Sequence, residues 1–264
     1  LIAIGVVMIY SSSAIFAYEN FGDSAYFLKK HLIFLCIGFL VALFFMSFDY
    51  SFLRKYIKPF LLLSVVLLIL VLIPGIGKAA GGARRWIRFG ALNFQPSEIA
   101  KMALVFYAAD VLSRKQSDIK NFMQGFMPLI FVLGICVGLI LLEPDLGTAV
   151  AIGFLIIAMA FVSGVRIKHI FGLMTSSLPA SILLIAFKPY RAKRITAFLN
   201  PWADPLGSGY QIIQSALALG SGGLFGVGLG YSKQKLFYLP EAHTDFIFSI
   251  LGEELGFIGT GSVI

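Results

Sequence analysis

A chain of 264 residues in which 59% of the side chains are hydrophobic and only 13% charged lacks the polar surface of an ordinary soluble domain, and reads as a polytopic membrane protein. Its formal charge of +8, unusual beside so little total charge, points to anionic lipid headgroups or an anionic substrate rather than to nucleic acid. Its two cysteines, Cys36 and Cys136, each lie inside an apolar run and make neither a disulfide framework nor a metal site.

Apolar runs approaching the roughly 20 residues that a bilayer requires predict helices at 1–17, 31–48, 59–75, 97–113, 122–142, 148–164 and 170–187, with an eighth beginning near Asp245. The chain opens and closes inside apolar runs and so reads as a piece of a longer protein. Ser12-Ser13-Ala14 imitates a signal-peptidase site, but no basic stretch precedes it and further spans follow, so 1–17 is taken as a retained helix. The connections are short except for 76–96 and 188–244. Lysines and arginines orient such proteins through their short loops. Loops 49–58, 114–121 and 165–169 carry eight cations and the opposite set carries twelve. Most of that excess sits in the two long loops, where the rule is weakest, so charge alone leaves the orientation open.

Four stretches carry candidate chemistry. In the first long loop, Arg84, Arg85 and Arg88 beside Trp86 read either as a membrane-surface anchor or as forked donors suited to a diphosphate. Pro96, Ser97 and Glu98 fit the first turn of a helix, and Glu98 and Lys101 share one face as an ion pair or a polar site. The second stretch, Glu143-Pro-Asp-Leu-Gly-Thr148, is a tight polar turn in which Asp145 and Thr148 either cap the next helix or serve a ligand. The third is the long loop, with Tyr210-Gln-Ile-Ile-Gln-Ser215 and the glycine run 220–230, which matches no nucleotide-binding fingerprint. Ser232-Lys-Gln-Lys235 has the Ser-x-x-Lys spacing of penicillin-binding enzymes without their other motifs, and is read as chance. The fourth is Leu239-Pro-Glu-Ala-His-Thr-Asp245. A carboxylate at the doorstep of an apolar helix is either an N-cap or an ionised general base, and the two roles are compatible.

Taken together, Gly5-Val-Val-Met-Ile-Tyr-Ser-Ser-Ser-Ala14, Arg85-Trp-Ile87, Phe94-Gln-Pro-Ser-Glu-x-x-Lys101, Pro144-Asp-Leu-Gly-Thr148 and Leu239-Pro-Glu-Ala-His-Thr-Asp-Phe-Ile-Phe248 resemble the SEDS family of bacterial cell-wall polymerases. Asn200-Pro-Trp-Ala-Asp-Pro-Leu-Gly-Ser-Gly-Tyr-Gln211 and Ala242 before His243 look more like its division and sporulation branch than its elongation branch. The resemblance implies an all-α bundle of about ten membrane-crossing helices, of which this chain, as a single integral membrane domain, holds about seven and the start of the eighth. It places the loops 76–96 and 188–244 outside the cell, so that the surplus cations face a lipid-linked diphosphate.

The implied activity is polymerisation of lipid II into β-1,4 glycan strands in the bacterial cytoplasmic membrane, at the division septum or in spore formation. The implied partners are a class B penicillin-binding transpeptidase and other division proteins. The family's essential aspartate matches Asp245, and its polar pair on the fourth helix matches Glu98 and Lys101. Substrate contacts are expected from Arg84, Arg85, Trp86, Gln95, Asp145, Arg191, Arg194, Gln211, Gln214 and His243. No cofactor is implied with certainty, and a requirement for a divalent cation, Mg2+ or Mn2+, stays open. A lipid II transporter and a division scaffold are the rival readings.

Overall fold

Long apolar runs with few breakers fold here as helices, and the architecture is seen in a computed structural model. It describes residues 1–80, 83–89, 92–114, 116, 118–186 and 189–264, without the side chains of 50, 79, 80, 83, 89, 92, 180, 181, 184, 185 and 189–191. The body is all-α: α1 (Ile2–Phe21), α2 (Tyr26–Met46), α3 (Tyr50–Leu72), α4 (Pro96–Arg114), α5 (Met127–Leu142), α6 (Leu146–Val162), α7 (Ile167–Ala186), α8 (Pro189–Leu199), α9 (Tyr210–Ser221) and α10 (Ile247–Val263). Among the described residues four stretches are long and apolar enough to cross a bilayer: α1, α2, most of α3, and Phe122–Leu142, in which a π-helical turn leads into α5. The shorter α6 is also apolar.

Helix boundaries differ from expectation where charge was taken as loop. α2 starts at Tyr26 rather than near 31, carrying Lys29 and Lys30 in its opening turns, and α3 starts at Tyr50 rather than 59 and carries Arg54, Lys55 and Lys58. Long cationic side chains reach a polar boundary from within a helix, so they do not end it. Asp49 caps α3, its side chain accepting from Ser51 N at 2.8 Å. The eighth predicted span begins at Ile247, after Asp245. Two elements inside the long loops went unforeseen. One is an antiparallel sheet, β1 (Gly77–Ala80), β2 (Ala83–Phe89) and β3 (Leu92–Phe94), ordered β1-β2-β3. The other is the helix pair α8 and α9.

The chain packs as two compact units, Phe48–Ala180 and Leu1–Ser47 with Ser181–Ile264. In the first, Leu104, Phe126, Leu129, Ile140, Ile152 and Ile156 form a fully buried core between α4, α5 and α6. In the second, α10 lies against α1 and α9 around Met8, Leu239, Ile250 and Leu251. The α9–α10 seam includes a hydrogen bond between the hydroxyls of Ser215 and Ser249 at 2.7 Å.

Candidate active site

Within Phe48–Ala180 the polar centre is the turn that joins α5 to α6. Asp145 caps α6 as expected, accepting from Thr148 N at 3.3 Å and Thr148 Oγ1 at 2.9 Å. Gln95 Nε2 reaches it at 3.1 Å and Ser97 Oγ at 2.9 Å, which ties the start of α4 to this turn. Side-chain alternation along β2 separates its arginines. Arg84 and Arg88 are exposed, whereas Arg85 points to the turn and Ile87 is buried. Arg85 donates from Nε to the Glu143 carbonyl at 3.2 Å and from Nη2 to the Pro144 carbonyl, and its Nη1 lies 3.8 Å from Asp145 Oδ1. Its fork therefore clamps the turn. Trp86 is half-buried on the other face of β2.

Sequence reading passed over Glu143. Its side chain is fully buried, and neither carboxyl oxygen finds a hydrogen-bond partner among the described residues. Burial pushes its pKa from the ordinary 4.5 up to about 8; the Asp145 charge adds to the rise and Arg85 opposes it. Glu143 thus favours its neutral form near neutral pH. On α4, Glu98 Oε2 and Lys101 Nζ pair at 2.7 Å, the ion pair that their three-residue spacing predicts, with both side chains partly exposed.

Within the other unit the doorstep stretch is a chain of turns. Asp245 is exposed and makes no side-chain hydrogen bond among the described residues, and the residue at the start of α10 is Phe246, with no side-chain cap. The capping role is therefore corrected: the peptide turns once more before the helix begins, which puts Asp245 outside capping reach. His243 is half-buried, its ring stacked on Phe16 at 4.8 Å and tilted against Phe27 at 4.9 Å. It stands between two cavities of about 250 and 260 Å3, the first also lined by Ser12 and Lys235 and the second by Lys30 and His31. Glu241, in the left-handed region at φ 56°, accepts from Thr244 Oγ1 at 2.9 Å.

This loop is braced from below by two acids of α10. Glu253 accepts from the Ser232 hydroxyl, from Lys233 N at 3.0 Å and from Gln234 N at 3.3 Å. Glu254, fully buried, pairs with Lys235 Nζ at 2.8 Å and accepts from Ser11 Oγ of α1 at 2.7 Å. The Ser-x-x-Lys match is thereby explained as a brace: its serine and lysine each answer a different buried glutamate. Adjacent acids inside an apolar helix were the available signal, since ionisable groups at membrane depth are costly.

The glycine run also finds its use here. α10 breaks at Gly256 (φ 68°), and Val227 N and Gly228 N donate to the carbonyls of Glu253 and Glu254 at 2.9 and 3.0 Å. Phe257 N and Ile258 N donate in turn to the carbonyls of Gly223 and Leu224 at 2.8 and 3.2 Å. A Cβ on Gly222 or Gly226 would lie 2.0 or 2.1 Å from a carbonyl oxygen of α10, so only glycine permits the approach.

Of the remaining predicted contacts, Gln211 is exposed and Gln214 half-buried on α9, and Arg194 is exposed on α8. The side chain of Arg191 lies outside the described residues. Among the described residues no three His, Cys, Asp or Glu side chains cluster as a protein metal site needs.

The whole chain, residues 1–264, matches a family model of FtsW, RodA and SpoVE described as cell cycle protein. A probable peptidoglycan glycosyltransferase FtsW of Trichlorobacter lovleyi is 50% identical over all of this chain, which covers 69% of that protein. Stage V sporulation protein E of Bacillus subtilis is 49% identical over 98% of this chain and 71% of its own length. Among solved structures, a chain from a peptidoglycan synthase complex that coordinates polymerisation and crosslinking superposes with a TM-score of 0.70 at 30% identity, covering 98% of this chain and 73% of that one. The rod shape determining protein RodA of Thermus thermophilus follows at 0.61 and 26% identity, over 99% and 68% of the two chains.

Proposed function

Because the chain belongs to the FtsW/RodA/SpoVE family, we propose that it is a peptidoglycan glycosyltransferase that polymerises lipid II, with Asp245 as its general base. The observation that carries this reading is Asp245 itself, an exposed carboxylate that makes no side-chain hydrogen bond among the described residues, on a loop fixed by buried acids. A group held by its surroundings but not consumed by them is what proton transfer requires.

The donor sugar is α-linked to a diphosphate and the new bond is β-1,4, so one in-line displacement by the acceptor's 4-hydroxyl accounts for the inversion. Asp245 takes the hydroxyl proton as the oxygen attacks the anomeric carbon and the diphosphate departs. The leaving group gathers negative charge, which cations stabilise. Lys101, oriented by Glu98, and Arg84, Arg191 and Arg194 are assigned that task. Arg85 and Gln95, together with Asp145, fix the turn between α5 and α6, and Trp86, Gln211, Gln214 and His243 are assigned to the sugar and peptide. We take the 264 residues as part of one integral membrane domain with the long loops outside. A class B penicillin-binding transpeptidase is the proposed partner, and division or spore wall synthesis the proposed setting.

The test uses the purified full-length protein with its transpeptidase and lipid II in detergent, reading glycan strands on a gel. Asp245→Asn keeps size and fold but cannot accept the proton, so strand synthesis falls roughly 10²-fold or more at equal folded complex. Normal polymerisation by Asp245→Asn would move the base to His243. Wild type that stays folded and partner-bound yet makes no polymer across a range of cation conditions would favour the transporter or scaffold.

A further inference from the structure

The C-terminal end of α4, remote from the end that carries Glu98 and Lys101, is organised around one buried carboxylate and two guanidinium groups. Asp110 Oδ1 accepts from Arg54 Nε at 2.5 Å and from Arg114 Nε at 2.8 Å, and Arg54 Nη2 reaches Ser113 Oγ at 3.3 Å. One carboxylate neutralises one of the two cations and leaves a positive charge over. The Asp110 side chain is only 8% exposed, while those of Arg54 and Arg114 are 46% and 56% exposed, so the cationic heads face outward. Lys55, Lys120, Arg166 and Lys168 stand at the neighbouring helix ends, against Asp49 and Asp118.

Two apolar clefts flank this end of α4, the first lined in part by Arg54. One, of about 310 Å3, lies between α3 and α4 and is lined by Leu53, Ile57 and Phe106; the other, of about 580 Å3, lies between α4 and α6 and is lined by Leu112, Leu155 and Met159. Ala109 and Ser113 border both clefts, so the two share an edge of small side chains. An acidic protein segment would use the charge and leave the clefts unfilled. A phospholipid uses both features, since its phosphate suits guanidinium forks and its chains fill gaps between helices.

We propose that this end of α4 binds a two-chain glycerophospholipid with an anionic headgroup, its phosphate on Arg54 and Arg114 and its acyl chains straddling Ala109 in the two clefts. This site lies at the opposite end of α4 from Glu98 and Lys101 and serves lipid recognition.

The test titrates the full-length protein in detergent with phosphatidylglycerol, or separately with phosphatidylethanolamine, and counts bound lipids by native mass spectrometry. Wild type is expected to bind phosphatidylglycerol more tightly than phosphatidylethanolamine, and glycerol 3-phosphate at equal concentration is expected not to compete. Arg54→Gln with Arg114→Gln should weaken phosphatidylglycerol binding roughly 10- to 30-fold and phosphatidylethanolamine binding less, so that the preference for phosphatidylglycerol narrows. Ala109→Trp keeps both cations and fills that exposed edge, and should weaken binding similarly even if the double arginine variant fails to fold. Asp110→Asn should lower the melting temperature yet retain the lipid, which distinguishes a lipid site from a purely structural ion pair. The proposal is overturned if wild type does not prefer phosphatidylglycerol, if glycerol 3-phosphate competes, if Ala109→Trp binds normally, or if folded Asp110→Asn loses the lipid.

Discussion

With both carboxyl oxygens unpartnered in a fully buried turn, Glu143 keeps its proton through neutral pH. The unfolded carboxyl titrates near 4.5 and the folded one near 8. Between those values the folded state holds the extra proton, so this group makes stability fall as pH rises, by up to about 1.4 kcal/mol per pH unit, and adds no slope below or above that window. Glu143→Gln, a neutral isostere, should flatten that part of the curve, which melting in detergent at a series of pH values would reveal. An unchanged slope would mean that Glu143 ionises freely. Arg85 supplies the complementary case. Its fork holds two carbonyls of the same turn, so Arg85→Ala should cost about 1.5–3 kcal/mol, whereas Arg85→Lys keeps the charge, loses the fork and retains partial strand synthesis. Equal, near-normal stability and activity in both variants would reduce Arg85 to an interfacial residue. At this scale the Asp145 cap was legible, because a cap is a local device. The burial of Glu143 was not, because it depends on packing between α4, α5 and α6.

Among the elements, α10 shows how an apolar helix tolerates a break. Its freed carbonyls are answered by amides of the glycine run, the condition for non-helical backbone at membrane depth. Gly226→Ala introduces a Cβ 2.1 Å from the Glu254 carbonyl oxygen at a residue with φ 80°. The backbone strain alone costs about 1–3 kcal/mol, so the melting temperature should drop clearly. Gly220→Ala is the control, since it meets nothing within 4 Å and lies in α9; it should be neutral or mildly stabilising. A Gly226→Ala protein as stable as wild type would remove the close-approach explanation. The apolar helices were legible from hydropathy, because length and composition alone decide them. The sheet at 77–94 was hidden because its strands are short and its arginines read as a cluster instead of as an alternating pattern. The glycine run looked like a loop because its partner is a backbone more than 20 residues away.

For the whole molecule, the proposed orientation makes a direct prediction. In a background with Cys36 and Cys136 replaced, Ser208→Cys should react with an impermeant thiol reagent applied outside, and Lys168→Cys only once the cytoplasmic face is opened. The reverse pattern would invert the topology and with it the proposed mechanism. Fold class and family were readable from motif order, whereas the bracing of the Asp245 loop was not, because Ser11 of α1 stands more than 220 residues from its partners Lys235 and Glu254. The seam between the glycine run and α10 bears on how the protein opens in time. The amides of Val227 and Gly228 lie outside any helix, yet they are bonded to a broken one and can exchange with solvent only when that seam parts. Deuterium uptake at 226–228 should therefore follow that of 257–258 and lag the turns at 204–208, so that the loop and the helix exchange as one cooperative unit.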